Sequence, residues 1–237
     1  AYFKDSKNVK QMSGNSNFSN LSIFSFHPVK HITTGEGGMI TTNNKKLYEK
    51  LIMLRTHGIT KNKSNFLNSK SLATYGSKSK LKAKKYPEWY MEMQVLGFNY
   101  RLPDINASLG ITQLKKLNFS IKRRKEIAKK YYNSFKGKKF IISQPLYDDG
   151  HAYHLYVIQI KDRLGLFNFL RKNNIFCQIH YIPLYLMPYY KKLDKPTDNC
   201  PIADNFYKHC ISIPMYPTLS NSDQKYIIDK IFDYYDK

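Results

Sequence analysis

The sequence is short of cysteine and of acid, and each shortage excludes something. Cys177, Cys200 and Cys210 are an odd number without C-x-x-C spacing, which speaks against a disulfide framework and against a zinc site. Free thiols in a reducing compartment are expected. No apolar run reaches the eighteen or so residues that a membrane-spanning helix needs. The opening AYFKDSKNVKQ lacks the charged, apolar and small-residue order of a signal peptide. A soluble, cytoplasmic protein is the expectation. Against 39 Lys and Arg stand only 17 Asp and Glu, a net charge of +22. Such an excess suits phosphate-rich partners, yet the lysines are spread along the chain. No helix-turn-helix, RNP or zinc-finger pattern accompanies them. A nucleic-acid role is therefore not expected, although a basic surface would help attract a diphosphate-bearing small substrate. No internal repeat is visible.

What is present suits an α/β protein. The chain has 237 residues, 42% of them hydrophobic, enough to bury a core of one large or two small domains. It opens on Ala1 instead of methionine, and a periodic segment begins almost at once, as expected of a fragment entered in mid-domain. Residues 21–26, LSIFSF, and 39–42, MITT, read as strands around a loop. Leu47, Leu51 and Leu54 recur at helical spacing, with Asn43 or Asn44 as N-cap and Gly58 as the stop. Residues 61–86 fit no period and read as a mobile surface insertion, its lysine run at 78–85 a solvated loop. Pro103 and Asp104 suit a helix start, with Ile105, Leu109, Ile111 and Leu114 as its buried side. A second helix over residues 121–135 would carry basic residues on its exposed face and stop at Gly137. Beyond Gly150, an alternating strand at 153–160, a helix at 164–172 and an apolar run at 175–182 lead to a last helix. That helix is capped at Ser220 in a box with Asp223 and buries Ile227, Ile228, Ile231 and Phe232.

Residues 25–38, SFHPVKHITTGEGG, carry the chemistry. A single lysine, Lys30, sits between a strand and a glycine-rich turn, where its amine can be fixed and partly desolvated. Desolvation lowers a lysine's pKa and frees the amine to attack a carbonyl. Ser25 offers a hydroxyl to a phosphate, and Gly35, Gly37 and Gly38 allow close backbone approach to a ligand. On these grounds alone, a strand ending in a solvated lysine and a glycine turn is the commoner reading.

The stretch resembles the cofactor-lysine motif of the DegT/DnrJ/EryC1/StrS family of sugar aminotransferases, in the version of its pseudaminic-acid branch. Two further blocks follow in the family's order: PEWYMEMQVLGFNYRLPDINASLGITQLKKL at 87–117 and QIHYIPLYLMPYYKK at 178–192. The resemblance implies a fold-type-I, aspartate aminotransferase-like fold. It implies a large-domain remainder over 1–136, lacking its N-terminal part, and a small α+β domain over 137–237. It also implies pyridoxal 5′-phosphate (PLP) as cofactor, an amino-acid donor such as glutamate, and a UDP-linked 4-keto-6-deoxy sugar aminated at C4. Lys30 would hold the cofactor covalently and then shuttle protons. Ser25 would bind its phosphate. Asn99 would reach the phosphate of the partner subunit's cofactor in a homodimer with shared sites. Arg101, His180 and Tyr185 would contact substrate, although Tyr185 stands where many relatives have histidine. His180 can equally be a satisfied core histidine.

The acid that pairs with the pyridine nitrogen, the ring-stacking group and a further phosphate-binding turn fall, in the family pattern, before Ala1. The expectation is that this chain alone has little or no transaminase activity. Perosamine- or bacillosamine-type aminotransferases and a non-catalytic PLP-binding homologue are the alternatives.

Overall fold

The computed structural model describes residues 1–74, 85–193 and 200–236. Apart from Lys85, the lysine run at 78–85 lies outside them. In chain order the elements are β1 (Tyr2–Lys4), β2 (Lys10–Met12), β3 (Ser22–Ser25), β4 (Gly38–Thr41), α1 (Lys45–Arg55), β5 (Ile59–Thr60), α2 (Lys70–Ala73), β6 (Glu92–Met93) and α3 (Asp104–Phe135). There follow β7 (Ile141–Ser143), β8 (Tyr156–Ile160), α4 (Arg163–Lys172), α5 (Pro188–Lys191), α6 (Pro201–His209), β9 (Cys210–Ile213) and α7 (Asn221–Tyr235). Two compact units result: Gly14–Thr112, and Ala1–Ser13 with Gln113–Lys237. α3 contributes to both.

The unit containing the C-terminus holds a conventional core. β7, β8 and β9 form an antiparallel sheet in that order. Along β8 burial alternates, with Tyr156, Ile158 and Ile160 inward, as the sequence period requires. Against them pack Ile127, Ala128, Tyr131 and Phe135 of α3, Leu166 and Leu170 of α4, and Ile227, Ile228 and Ile231 of α7. α7 starts as read, with the Ser220 hydroxyl accepting the Asp223 amide at 2.9 Å. β9, whose four residues are all buried, escaped the sequence reading. Its free edge is closed by a two-way exchange between Ser212 and Gln178, at 2.8 and 3.1 Å.

α3 corrects two expectations. The two helices read at 105–114 and 121–135 are one helix of 32 residues, because Asn118, Phe119 and Ser120 include no Gly or Pro to interrupt its hydrogen-bond ladder. Its basic face is not wholly exposed either. Arg124 is buried and donates to the carbonyls of Tyr153, His154 and Met215 at 3.0 to 3.1 Å, a use of the guanidinium fork that satisfies chain turns instead of a carboxylate. Desolvation pushes its pKa down.

The Gly14–Thr112 unit is built differently. β3 and β4 pair antiparallel, Ser22 to Thr41 through Ser25 to Gly38. α1 begins at Asn44, whose side chain accepts the Leu47 amide at 3.2 Å, and ends where the Gly58 amide reaches back to the Met53 carbonyl. Gly58 has φ of +70°, the left-handed conformation glycine adopts freely. The unit's apolar faces are largely bare. Ile105, Leu109 and Ile111, expected to be buried, are exposed, Ile105 by 84%, and so is Leu114. Periodicity identifies a face that favours cover; nothing among the described residues supplies it.

Removing methylenes from the core should be costly and from the bare face cheap. Ile158→Ala is expected to lose about 2–5 kcal/mol of unfolding free energy, and Ile105→Ser less than about 0.5 kcal/mol, both read from denaturant titrations of the chain.

Candidate active site

The loop between β3 and β4 is closed by its own backbone. The Phe26 carbonyl accepts both the Thr34 amide at 3.0 Å and the Thr33 hydroxyl at 3.1 Å, while the Phe26 amide donates to the Gly37 carbonyl at 2.9 Å. Within this ring, residues 27–30 form a β-turn. The Lys30 amide donates to the His27 carbonyl at 2.9 Å, and Pro28 occupies the second position, where its fixed φ is preorganised for a turn. The HPVK order thereby sets the direction of Lys30. The Lys30 side chain is half-buried, and its amine makes no hydrogen bond or ion pair among the described residues. Ser25 is exposed at the last position of β3; its hydroxyl accepts only a long 3.4 Å contact from the His27 amide.

The far side of the loop rests on α3. Thr34 is 3% exposed, and its hydroxyl donates to the Glu36 carbonyl at 2.7 Å. Asn106 donates through Nδ2 to the Thr34 carbonyl at 2.6 Å. A Cβ placed on Gly110 would come within 2.9 Å of the Thr34 methyl, and one on Gly37 within 2.9 Å of Leu102. Thr34 and Asn106 escaped the sequence reading. The only signal was the Thr-Thr-Gly run, whose threonines favour local hydroxyl turns.

Asn99 lies on an extended segment laid against the end of α1. It bridges to Thr56, and its neighbours exchange hydrogen bonds with Leu54, Arg55 and His57. Asn99 and Arg101 are exposed. Two glycines permit the approach: a Cβ on Gly97 would lie 2.0 Å from the Gly58 nitrogen, and one on Gly58 would lie 1.7 Å from the Val95 carbonyl oxygen. The first part of the 61–86 insertion is also fixed. Glu92, 7% exposed, accepts the amides of Leu67 and Asn68 at 2.7 and 3.0 Å, the Tyr90 hydroxyl at 3.0 Å and Gln94 at 3.1 Å. Desolvation pushes the Glu92 carboxyl up, but these hydrogen bonds together outweigh it and hold the pKa below its ordinary 4.5.

His180 and Tyr185 belong to the other unit. The His180 ring nitrogen Nδ1 is 2.8 Å from the Ser212 hydroxyl, so the histidine is engaged by β9. The Tyr185 hydroxyl donates to Asp204 at 2.7 Å; partial desolvation first, and then the carboxylate, push its pKa up to about 12. The three cysteines are unpaired, and burial pushes the Cys177 thiol up to about 12, which suits an inert core residue. No helix among the described residues is long and apolar enough to cross a membrane.

An uncommitted amine and an exposed hydroxyl on one hairpin suit a cofactor with an aldehyde and a phosphate. The chain belongs to the DegT/DnrJ/EryC1/StrS aminotransferase family, whose profile matches residues 7–232. Its fold is that of the type-I PLP-dependent sugar aminotransferases, and the family's cofactor is pyridoxal phosphate. The chain is 36% identical over 227 residues to the UDP-4-amino-4,6-dideoxy-N-acetyl-beta-L-altrosamine transaminase of Campylobacter jejuni, covering 92% of this chain and 53% of that protein. Among solved structures it is similar to Helicobacter pylori PseC, an aminotransferase involved in the biosynthesis of pseudoaminic acid, with 30% identity and a TM-score of 0.76 over 92% of this chain and 54% of that one. It is also similar to the PLP form of Spr1654 from Streptococcus pneumoniae, with 26% identity and a TM-score of 0.76 over 94% and 53% of the two chains. The chain thus spans about half the length of the relatives it matches.

Two measurements check this geometry. Gly97→Ala should displace the 95–101 segment and lose at least about 1–3 kcal/mol of stability, in a denaturant titration. Because the folded-state pKa of Glu92 is depressed, its contribution is complete above pH 4.5 and disappears as pH falls through the folded value below it. Hydrogen exchange at Leu67 and Asn68, corrected for intrinsic rates, should accelerate across that acid range in the wild type and already be fast at neutral pH in Glu92→Ala.

Proposed function

We propose that the complete protein carrying this chain is a cytoplasmic, homodimeric nucleotide-sugar aminotransferase. It would move an amino group from an amino acid, glutamate by preference, to C4 of a UDP-linked 4-keto-6-deoxy sugar in pseudaminic-acid biosynthesis for a cell-surface polysaccharide. Residues 1–136 would be the remainder of its PLP-binding domain and residues 137–237 its small domain. The observation that carries the reading is Lys30: a lysine set by the His27–Lys30 turn, its amine without a hydrogen bond or ion pair among the described residues, in a stretch that resembles the family's cofactor-lysine motif and lies within the matched residues 7–232. The identities to the altrosamine transaminase and to PseC favour the pseudaminic-acid sugar over perosamine- or bacillosamine-type substrates.

Pyridoxal phosphate, when bound, supplies the electron sink that makes the donor's α-proton removable. The chain's residues do the rest. Lys30 Nζ would hold the cofactor covalently and, when free, would serve as the base that takes the proton from the donor's α-carbon and as the acid that delivers it to C4′ of the cofactor. The Ser25 hydroxyl, facing no strong partner of its own, donates to the phosphate. Asn99 would reach the phosphate of the partner subunit's cofactor, and Arg101 would contact substrate; both are exposed. His180 and Tyr185 line the nucleotide-sugar side; with a pKa pushed up to about 12, Tyr185 serves as a neutral hydrogen-bonding group and not as a base.

The test is chemical. Borohydride reduction of the complete protein with PLP, followed by peptide mapping, should place a pyridoxyl adduct on Lys30, and Lys30→Ala should lose both that adduct and at least about 10³-fold of the turnover. An adduct on a different lysine, or none, would discard this function in favour of a non-catalytic homologue.

A further inference from the structure

We infer that Asn106 is the positioning residue of Lys30, acting through the loop that carries the lysine. The inference rests on the functional reading above and extends it to a residue whose hydrogen bonds go to the loop itself.

The helix side of the contact is well defined. Asn106 sits in the first turn of α3, and Gly110 follows one turn later on the same face. Gly110 leaves room for the Thr34 methyl, and Asn106 donates above it, to the Thr34 carbonyl at 2.6 Å and, at the edge of hydrogen-bonding range, to the Glu36 carbonyl at 3.4 Å. Both partners are acceptors, so the amide must present its nitrogen to them; the other orientation would set oxygen against oxygen.

The loop side shows why one side chain suffices. Thr34 is the residue at which the loop closes: its amide bonds the Phe26 carbonyl, which also takes the Thr33 hydroxyl, and its own hydroxyl bonds the Glu36 carbonyl. Phe26 directly precedes the His27–Lys30 turn. Fixing the Thr34 carbonyl from α3 therefore fixes Phe26, and Phe26 sets where the Lys30 turn begins. Gly35 and Gly37, with φ of +78° and +152°, leave this loop more conformational freedom than other residues would. An external anchor is what such a loop lacks.

Asn106→Asp separates this role from helix stability. The two side chains have nearly the same shape, and an acid in the first turn of a helix is favoured by the dipole. What changes is the donor: a carboxylate would face two carbonyl oxygens. In the complete, cofactor-free protein, the Phe26 and Thr34 amides should then exchange at least about tenfold faster while the α3 amides keep their wild-type protection. With PLP, kcat should fall about tenfold or more with KM for the sugar within about twofold. Asn106→Gln, which keeps the donor, should recover most of both losses.

Wild-type exchange in Asn106→Asp, or equal impairment of the Asp and Gln variants, would overturn the assignment. The exchange experiment needs no cofactor. If it behaves as expected while borohydride maps no adduct to Lys30, the loop anchor stands and the functional reading is what fails.

Discussion

Everything proposed for this chain depends on the carbonyl of Phe26, which accepts the amide of Thr34 and the hydroxyl of Thr33 together. That double acceptance closes the loop between β3 and β4. A loop of glycines and one lysine loses considerable conformational entropy when ordered, and few contacts are available to compensate. Closure at Phe26, the Pro28 turn and the anchor from Asn106 are those contacts. Among the described residues the Lys30 amine makes no hydrogen bond or ion pair, as the proposed role asks of it.

The two units differ in how complete they are. The C-terminal unit buries aromatic and aliphatic side chains from α3, α4, α7 and the β7–β8–β9 sheet, and even its buried Arg124 and Gln224 bond to main-chain carbonyls. The Gly14–Thr112 unit buries no large aliphatic or aromatic side chain among the described residues and leaves both its hairpin and the first turns of α3 bare. A two-stranded hairpin with no covered face is marginal by itself. The chain spans about half the length of the relatives it matches, and these faces are bare among the described residues.

Much of the fold was legible because local chemistry and packing agree. The Asn44 and Ser220 caps, the alternation of Tyr156, Ile158 and Ile160, and the strands flanking the lysine loop all follow from residue type and spacing. The failures were tertiary. Ile105 and Ile111 mark an apolar face without saying what covers it. Nothing in the composition of residues 61–74 tells that Glu92, some twenty-five positions later, fixes Leu67 and Asn68. β9 was missed because four residues preceding a proline look the same in a strand as in a loop. Lys30 and Ser25 were singled out by motif and resemblance; Asn106 was not, because a donor aimed at a distant carbonyl has no sequence pattern of its own.

The most direct test of the central claim follows the nitrogen. The complete protein, given PLP, ¹⁵N-labelled glutamate and a UDP-linked 4-keto-6-deoxy sugar, should deliver the label to C4 of the sugar, visible by NMR as a new carbon–nitrogen coupling, and Lys30→Ala should deliver none. Label that remains on glutamate with the wild-type protein would contradict the account.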